Sequence, residues 1–338
     1  MSDVFEHTHL NTVNLCSFTQ GMKALPDKCA NLIIADPPYF QIKGDFDFCM
    51  TRKEWEQMHV ELAESCKRVL ADNGSLFLWG HAKNIAYQQV IFDSFFKLEN
   101  SMIWEKRDCQ TLRNDFDALR AFAPVTERLL FYSNGTEPEE WDMTGTEMMN
   151  ANNECFWTLK VFFDDWLEAS GLTYKQAVQE IGSTASHWFG FSKKHKTQFS
   201  FPTREKWEIM NRIKLLGIEY EDLRKEYEDL RKEYEDLRRP FSNTRKLTDV
   251  LNYSQESHIS RKYDHPTIKP EKLTSALIET CTRPGDLVVV PFAGSGTECA
   301  MTVRAGRDFI AYDTNPKYVK MAQDRANIEI SQPCLFYV

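Results

Sequence analysis

Apolar residues along the 338-residue chain occur in short unbroken runs and in longer stretches at helical spacing. Residues 32–35 form an apolar run entering a Pro-Pro turn, which reads as a buried strand. From 51 to 70 the apolar positions Trp55, Met58, Leu62, Cys66, Val69 and Leu70 recur at spacings suited to one helix face. Ala71-Asp72-Asn73-Gly74 then reads as a break, and residues 75–80 (SLFLWG) as a second buried strand. Two further strands are expected at 101–104 and 129–132. The pattern resumes after Lys262, with a helix over 270–281, a strand at 286–290 (DLVVV), a helix over 298–305 and a strand at 308–313 (DFIAYD). Strands alternating with helices of this length predict an α/β fold, a mostly parallel sheet with helices on both faces. Two such blocks around an unlike middle predict one sheet assembled from both ends of the chain.

The middle differs in charge. Residues 134–180 hold ten acidic and two basic side chains, whereas 182–216 hold seven basic and two acidic. A seven-residue repeat follows, EYEDLRK from Glu219, EYEDLRK from Glu226 and EYEDLRR from Glu233. Tyr220, Leu223, Tyr227, Leu230, Tyr234 and Leu237 form an a/d seam on a helix over 219–239 of about 30 Å. Glu221–Lys225, Glu228–Lys232 and Glu235–Arg239 are expected as i,i+4 pairs, and Pro240 ends the helix. The seam either packs on its own domain or meets a second copy in a coiled coil. These boundaries predict one domain from 1–132 and 262–338, with an insert over 133–261.

Composition narrows the class. Hydrophobic residues at 42% and charged residues at 27% exclude collagen-like and disordered chains. A net charge of −9 argues against a uniform nucleic-acid coat but leaves room for a local basic groove. The nine cysteines never fall in Cys-x-x-Cys, which suits a reducing cytoplasm and offers no zinc knuckle. The N-terminus has no leader-like apolar core and no run of about 18 apolar residues occurs, so a cytoplasmic, non-membrane protein without a metal site is expected.

Two motifs carry chemistry. Phe292-Ala293-Gly294-Ser295-Gly296-Thr297 lies between a strand and a helix, where glycines let a ligand approach the backbone. It lacks the Lys-Ser/Thr ending of a phosphate loop and has too few glycines for the dinucleotide fingerprint. Asp313, at the end of the next strand, suits the two hydroxyls of a ribose. Strand, glycine turn, helix, strand and acid together suggest a nucleoside cofactor, the other reading being a structural turn. Asp36-Pro37-Pro38-Tyr39 follows a buried strand, which puts the carboxylate at the sheet's carboxyl edge. The prolines fix φ and remove two N–H donors, leaving rigid acceptor carbonyls, and Tyr39 adds a flat aromatic face. That set suits an exocyclic amino group on a flat base; a proline-rich loop with a capping acid is the alternative.

The chain resembles the S-adenosylmethionine-dependent DNA amino-methyltransferases. Asp36-Pro37-Pro38-Tyr39 matches that family's catalytic motif, and the loop Phe292 to Thr297 its cofactor loop. His265-Pro266-Thr267-Ile268-Lys269-Pro270 matches the segment before the cofactor strand. With the catalytic motif first, the chain resembles the β group, which carries a target-recognition region between the motifs. The likeness covers about residues 10–132 and 262–330, and two positions depart from it: Val290 replaces an acid before the loop, and Asn14-Leu15-Cys16 replaces a strand-end acid. The resemblance implies a Rossmann-like methyltransferase sheet with a helical recognition insert. It implies S-adenosylmethionine held by Thr267, Lys269, the loop and Asp313, and a flipped base stacked on Tyr39 with its amino group on Asp36 and the Pro37 carbonyl. An Asp at the motif's first position favours adenine N6 over cytosine N4. A bacterial or phage enzyme acting on double-stranded DNA is expected, with a homodimer and a cognate restriction endonuclease as further partners; a retained but inactive DNA-binding fold is the competing reading.

Within the insert, residues 173–181, Gly182 and 183–189 have the spacing of a helix-turn-helix. On that reading Lys193, Lys194 and Lys196 hold phosphates while Ser186, His187 and Trp188 lie nearer base edges, against the alternative of a plain helical hairpin with a basic loop. Lys106, Arg107, Arg113 and Arg120 flank the catalytic edge, either gripping DNA or forming a solvated face.

Overall fold

The computed structural model describes residues 10–42, 47, 49–106, 120, 122–134, 155–189, 199–254, 263, 265 and 267–332. The chain divides into two units, one of Met1–Glu137 with Pro240–Val338 and one of Pro138–Arg239. Its strands are β1 (Thr12–Leu15), β2 (Ala30–Ala35), β3 (Leu70–Gly80), β4 (Lys97–Glu105), β5 (Thr126–Ser133), β6 (Val250–Asn252), β7 (Leu287–Val290) and β8 (Asp308–Asp313). In chain order the helices are α1 (Phe18–Lys23), α2 (Arg52–Val69), α3 (Ile85–Phe92), α4 (Trp157–Ser170), α5 (Tyr174–Ile181), α6 (Arg204–Ile213), α7 (Tyr220–Leu237), α8 (Glu271–Cys281), α9 (Thr297–Arg304) and α10 (Pro316–Ser331).

All eight strands of the first unit lie in one sheet, ordered β1-β8-β7-β2-β3-β5-β4-β6. Only β5 runs antiparallel to its neighbours, β3 and β4. Successive strand residues face opposite ways, so Leu32, Ile34, Val288 and Val290 enter one core while Ile33, Ala35, Leu287 and Val289 enter the other. The first core is closed by Leu273 and Leu277 of α8, Cys299 and Met301 of α9, and Ala322 and Ala326 of α10. The second is closed by Phe18 and Met22 of α1, Leu62 and Cys66 of α2, and Phe92 of α3. Thr51 caps α2, its hydroxyl accepting from the Glu54 amide while the Glu54 carboxylate reaches back to Thr51.

This doubly wound, Rossmann-like sheet is joined from both ends of the chain, since Leu32 pairs with Val288 and Ile33 with Val289. From β2 the chain moves through α2 to β3, and from β7 through α9 to β8, on the opposite side. The loops leaving β2 and β7 therefore diverge and open a crevice at the strands' carboxyl ends.

Two expectations change. Ala71-Asp72-Asn73-Gly74 is not a break before β3 but lies within it. Leu70 pairs with Ala30 and Ser75 with Leu32, a step of five residues against two, so the extra chain bulges. The Asn134 amide holds that bulge by donating to the carbonyls of Leu70 and Ala71, both at 2.9 Å. The insert also ends at Arg239 rather than 261. Residues 240–254 return to the sheet, where Val250 pairs with Ile103 and the Phe241 ring stacks on Phe131 at 6.0 Å.

The second unit has its own aromatic core. Phe163 and Trp166 of α4, Trp207 of α6, and Tyr220 and Leu223 of α7 are buried with Phe156, Trp188 and Phe199. The repeat helix packs this part of its seam inside the unit, with Tyr227 against Phe156 at 5.3 Å and Phe201 at 5.1 Å. Two of the three expected ion pairs are replaced: Glu221 meets Arg204 at 3.4 Å, and Glu228 lies 3.9 Å from both Arg224 and Arg231, while the Glu235 side chain of the third lies outside the described residues. Exposed pairs of this kind contribute little, so the apolar seam holds the helix. Among the described residues no helix is long and apolar enough to cross a membrane.

Candidate active site

β2 delivers Asp36 to the crevice, and the turn after it is held at nearly every peptide. Trp55 Nε1 donates to the Pro38 carbonyl at 2.7 Å, and Asn84 Nδ2 to the carbonyls of Tyr39 at 2.5 Å and Phe40 at 3.0 Å. The Tyr39 amide donates to Asp47 Oδ1 at 2.6 Å, and the Gln41 amide to the Asp47 carbonyl at 2.7 Å. These bonds hold Phe40 and Gln41 at φ 61° and 54°, left-handed conformations that cost non-glycine residues energy. Among the described residues the Pro37 carbonyl accepts from no donor, and Pro37 lines the cleft.

Three charged groups, Asp36, Lys269 and Glu127, meet Tyr39 behind that turn. Lys269 Nζ lies 2.6 Å from Asp36 Oδ2, 2.9 Å from the Tyr39 hydroxyl and 3.2 Å from Glu127 Oε2. The Tyr39 hydroxyl is 2.7 Å from Asp36 Oδ1, and Lys106 pairs with the other Glu127 oxygen. Burial opposes ionisation of Glu127, but the ammonium groups of Lys269 and Lys106 outweigh it and hold its carboxyl at about 2. Burial works against the charge on Lys269 as well, yet Asp36 and Glu127 raise its proton affinity above the ordinary lysine value. For Asp36 burial dominates and pushes the carboxyl up, with Lys269 opposing and Glu127 adding to the rise. Burial and the two carboxylates also keep the Tyr39 phenol protonated. Lys106 thus belongs to this cluster rather than to a solvated or DNA-gripping face, while Arg107 and Arg113 lie outside the described residues.

The loop after β7 forms the other wall. Gly294 and Gly296 have φ of 48° and 75°, and a Cβ on Gly294 would meet His265 Nε2 at 3.1 Å. The Gly294 amide donates to Asp313 Oδ2 at 2.9 Å, and the Asn315 amide to Asp313 Oδ1 at 2.8 Å. Arg325 clamps the loop from beneath, donating to the Ser295 carbonyl at 2.8 Å and the Thr297 hydroxyl at 2.9 Å.

Between the walls lies a cleft of about 510 Å³. Asp36, Pro37, Pro38, Tyr39, Thr267, Lys269, Phe292, Ala293, Gly294, Ser295 and Asp313, all expected at the site, line it. Gly296 and Thr297 shape the loop instead: Gly296 abuts Ala322, and the wholly buried Thr297 bonds to Arg325. The bare glycine backbone, the bonded Asp313 carboxylate and the volume fit a nucleoside-bearing methionine derivative. Sequence reasoning missed Glu127, Lys106 as its partner, Arg325 and Glu298. Their signal was faint, being single charged residues at the edges of apolar runs.

The residues expected at DNA fare differently. Residues 183–187 form a 3-10 turn rather than the start of a recognition α-helix. Trp188 is 1% exposed, donates to the Ser200 carbonyl at 2.6 Å and packs on Phe163, so it is a core residue and presents no edge to a base. Ser186 Oγ donates back to the Ser183 carbonyl at 2.7 Å, and His187 Nδ1 lies 3.2 Å from Ser200 Oγ. Lys193, Lys194 and Lys196 lie outside the described residues.

Comparison with known proteins finds relatives along most of the chain. The N6/N4 methyltransferase family model, described as DNA methylase, matches residues 30–324. The chain is 22% identical over 312 residues to the DNA adenine methyltransferase YhdJ of Escherichia coli, covering 91% of this chain and 79% of that protein. It is 23% identical over 334 residues to the type II methyltransferase M.HinfI of Haemophilus influenzae, covering 94% and 68%. Among solved structures the PvuII DNA methyltransferase, described as cytosine-N4-specific, superposes with a TM-score of 0.51 at 14% identity, covering 93% of this chain and 87% of that one. At that identity the likeness speaks for the fold.

Proposed function

The chain belongs to the N6-adenine/N4-cytosine family of S-adenosylmethionine-dependent DNA methyltransferases, and on that premise we propose that it methylates the N6 amino group of adenine in duplex DNA. The observation that carries the reading is a cleft lined by Asp36 and by Pro37, whose carbonyl no described donor reaches. YhdJ, named a DNA adenine methyltransferase, and the Asp at the head of the motif favour adenine.

An amino group inside the base stack is out of reach, so the target nucleotide rotates into the cleft. Each carboxylate oxygen has two lone pairs, so Asp36 keeps acceptor capacity beyond its bonds to Tyr39 and Lys269. One amino N–H donates to Asp36 and the other to the Pro37 carbonyl, which draws the nitrogen lone pair out of ring conjugation. Thr267, the loop from Phe292 to Ser295 and Asp313 hold S-adenosylmethionine, with Asp313 taking the ribose hydroxyls. When bound, that cofactor supplies an electrophilic methyl group on a sulfonium sulfur. Asp36, whose burial raises its proton affinity, receives the proton that the methylated nitrogen sheds. Positioning and hydrogen bonding carry the acceleration.

The test is transfer of labelled methyl from S-adenosylmethionine to mixed-sequence DNA lacking endogenous methylation, followed by nucleoside analysis. N6-methyladenosine is the expected product. N4-methylcytosine would keep the mechanism and overturn the base, and unlabelled DNA would overturn the activity.

The basic segment is proposed to grip phosphates. Replacing Lys193, Lys194 and Lys196 by alanine should weaken binding to every DNA sequence. It should also reduce the slope of log affinity against log salt by about 0.9 for each phosphate that is no longer neutralised. An unchanged slope would remove these lysines from the interface.

A further inference from the structure

The cleft holds more acid than base, and not all of that acid has a part in the reaction described above. Its lining residues include four acids, Asp36, Asp47, Glu298 and Asp313, against the single lysine Lys269. Three of the four acids are already engaged. Asp36 holds Tyr39 and Lys269, Asp47 accepts the Tyr39 amide, and Asp313 accepts the amides of Gly294 and Asn315. Lys269 is itself consumed between Asp36 and Glu127. Glu298 remains.

Glu298 is the second residue of α9, where an acid commonly offsets the helix dipole, but such acids are ordinarily solvated. This one is 5% exposed, lines the cleft and forms no ion pair among the described residues. Val290, at the end of the preceding strand, is wholly buried and apolar and adds no charge to the loop. Burial, reinforced by the nearby Asp36 carboxylate, pushes the Glu298 carboxyl up to about 7. A buried carboxylate in that condition is stabilised by a cation bearing hydrogen-bond donors. Of the two cationic groups on S-adenosylmethionine, the sulfonium carries no N–H, whereas the α-ammonium carries three.

We propose that Glu298 is the carboxylate that receives the α-ammonium group of the methionine moiety of S-adenosylmethionine. The inference rests on the reading of this cleft as the cofactor site and goes beyond it by giving the amino-acid end of the ligand a partner.

The experiment measures affinities of the full chain and of Glu298→Gln for three ligands by calorimetry. S-adenosylmethionine carries sulfonium and ammonium, S-adenosylhomocysteine the ammonium alone, and 5′-methylthioadenosine neither. The glutamine variant should weaken the first two by the same factor, about 10–100-fold for loss of a buried charge-assisted bond, and leave the third unchanged. Glu298→Asp, which keeps the charge on a shorter arm, should recover part of that loss. Weakening of S-adenosylmethionine alone would assign Glu298 to the sulfonium, equal weakening of all three would make it a support of the loop, and either overturns the proposal. So does unchanged affinity for all three. Failure of the unsubstituted protein to bind any of them would overturn the cofactor reading, and this inference with it.

Discussion

Asp36→Ala should lower the rate constant of methyl transfer by at least about 10³-fold, the scale of removing a preorganised polar group aimed at the reacting atoms. On the proposed mechanism the substitution removes the acceptor for one amino N–H and for the released proton. It leaves the cofactor wall intact, because the loop is held by Arg325 and Asp313 rather than by Asp36. Lys269 keeps Glu127 at 3.2 Å, so its ammonium is not left buried and unpaired. Affinity for S-adenosylhomocysteine should therefore be close to that of the unsubstituted protein while turnover is lost. Single-turnover transfer alongside equilibrium binding separates the two quantities. A variant that still methylates within tenfold of the parent would remove Asp36 from the chemistry.

The second large effect falls on stability. An added Cβ at Gly296 would lie 2.4 Å from Ala322 Cα and 2.7 Å from Ala322 Cβ, on a helix backbone that cannot swing aside. The residue also sits at φ 75°, where any side chain is strained. Strain and overpacking together put the cost of Gly296→Ala at about 3 kcal/mol or more, with α9 forced away from α10. Gly285 provides the control. Its φ is 82°, but nothing lies within 4 Å of the position a Cβ would take, so Gly285→Ala should cost only about 1 kcal/mol. Thermal melts of the two variants measure the difference. Equal losses would mean that Gly296 is needed for its conformation alone and not for close approach of two helices.

Much of this molecule was readable from local pattern. Runs such as 286–290 and 308–313 are strands because both faces of a parallel sheet are covered, so their residues can be apolar without alternation. Asp36-Pro37-Pro38-Tyr39 and the glycine loop were visible because their chemistry lies within a few consecutive residues. Asn73-Gly74, a strong turn signal, misled: Asn134, some 60 residues away, holds the segment as a bulge within a strand. Trp188 misled in the other direction. An aromatic residue near lysines suggests a nucleic-acid surface, yet its ring fills the core of the second unit.

By itself the sequence determined the α/β class, the order of the two motifs and the carboxylate proposed to address the base, since each follows from spacings of a few residues. The repeat helix was equally legible, its period being written directly in the chain. Only the tertiary structure decided what surrounds Asp36. Lys269 is 233 positions away in the chain, and Glu127 enters from an antiparallel strand whose pairing no local pattern announces. The same holds for Glu298, an ordinary helix-start acid until the fold buries it in a cleft whose one ammonium is already taken. Titration and pairing depend on the field and solvent at a point in space, and residues distant in the chain set both.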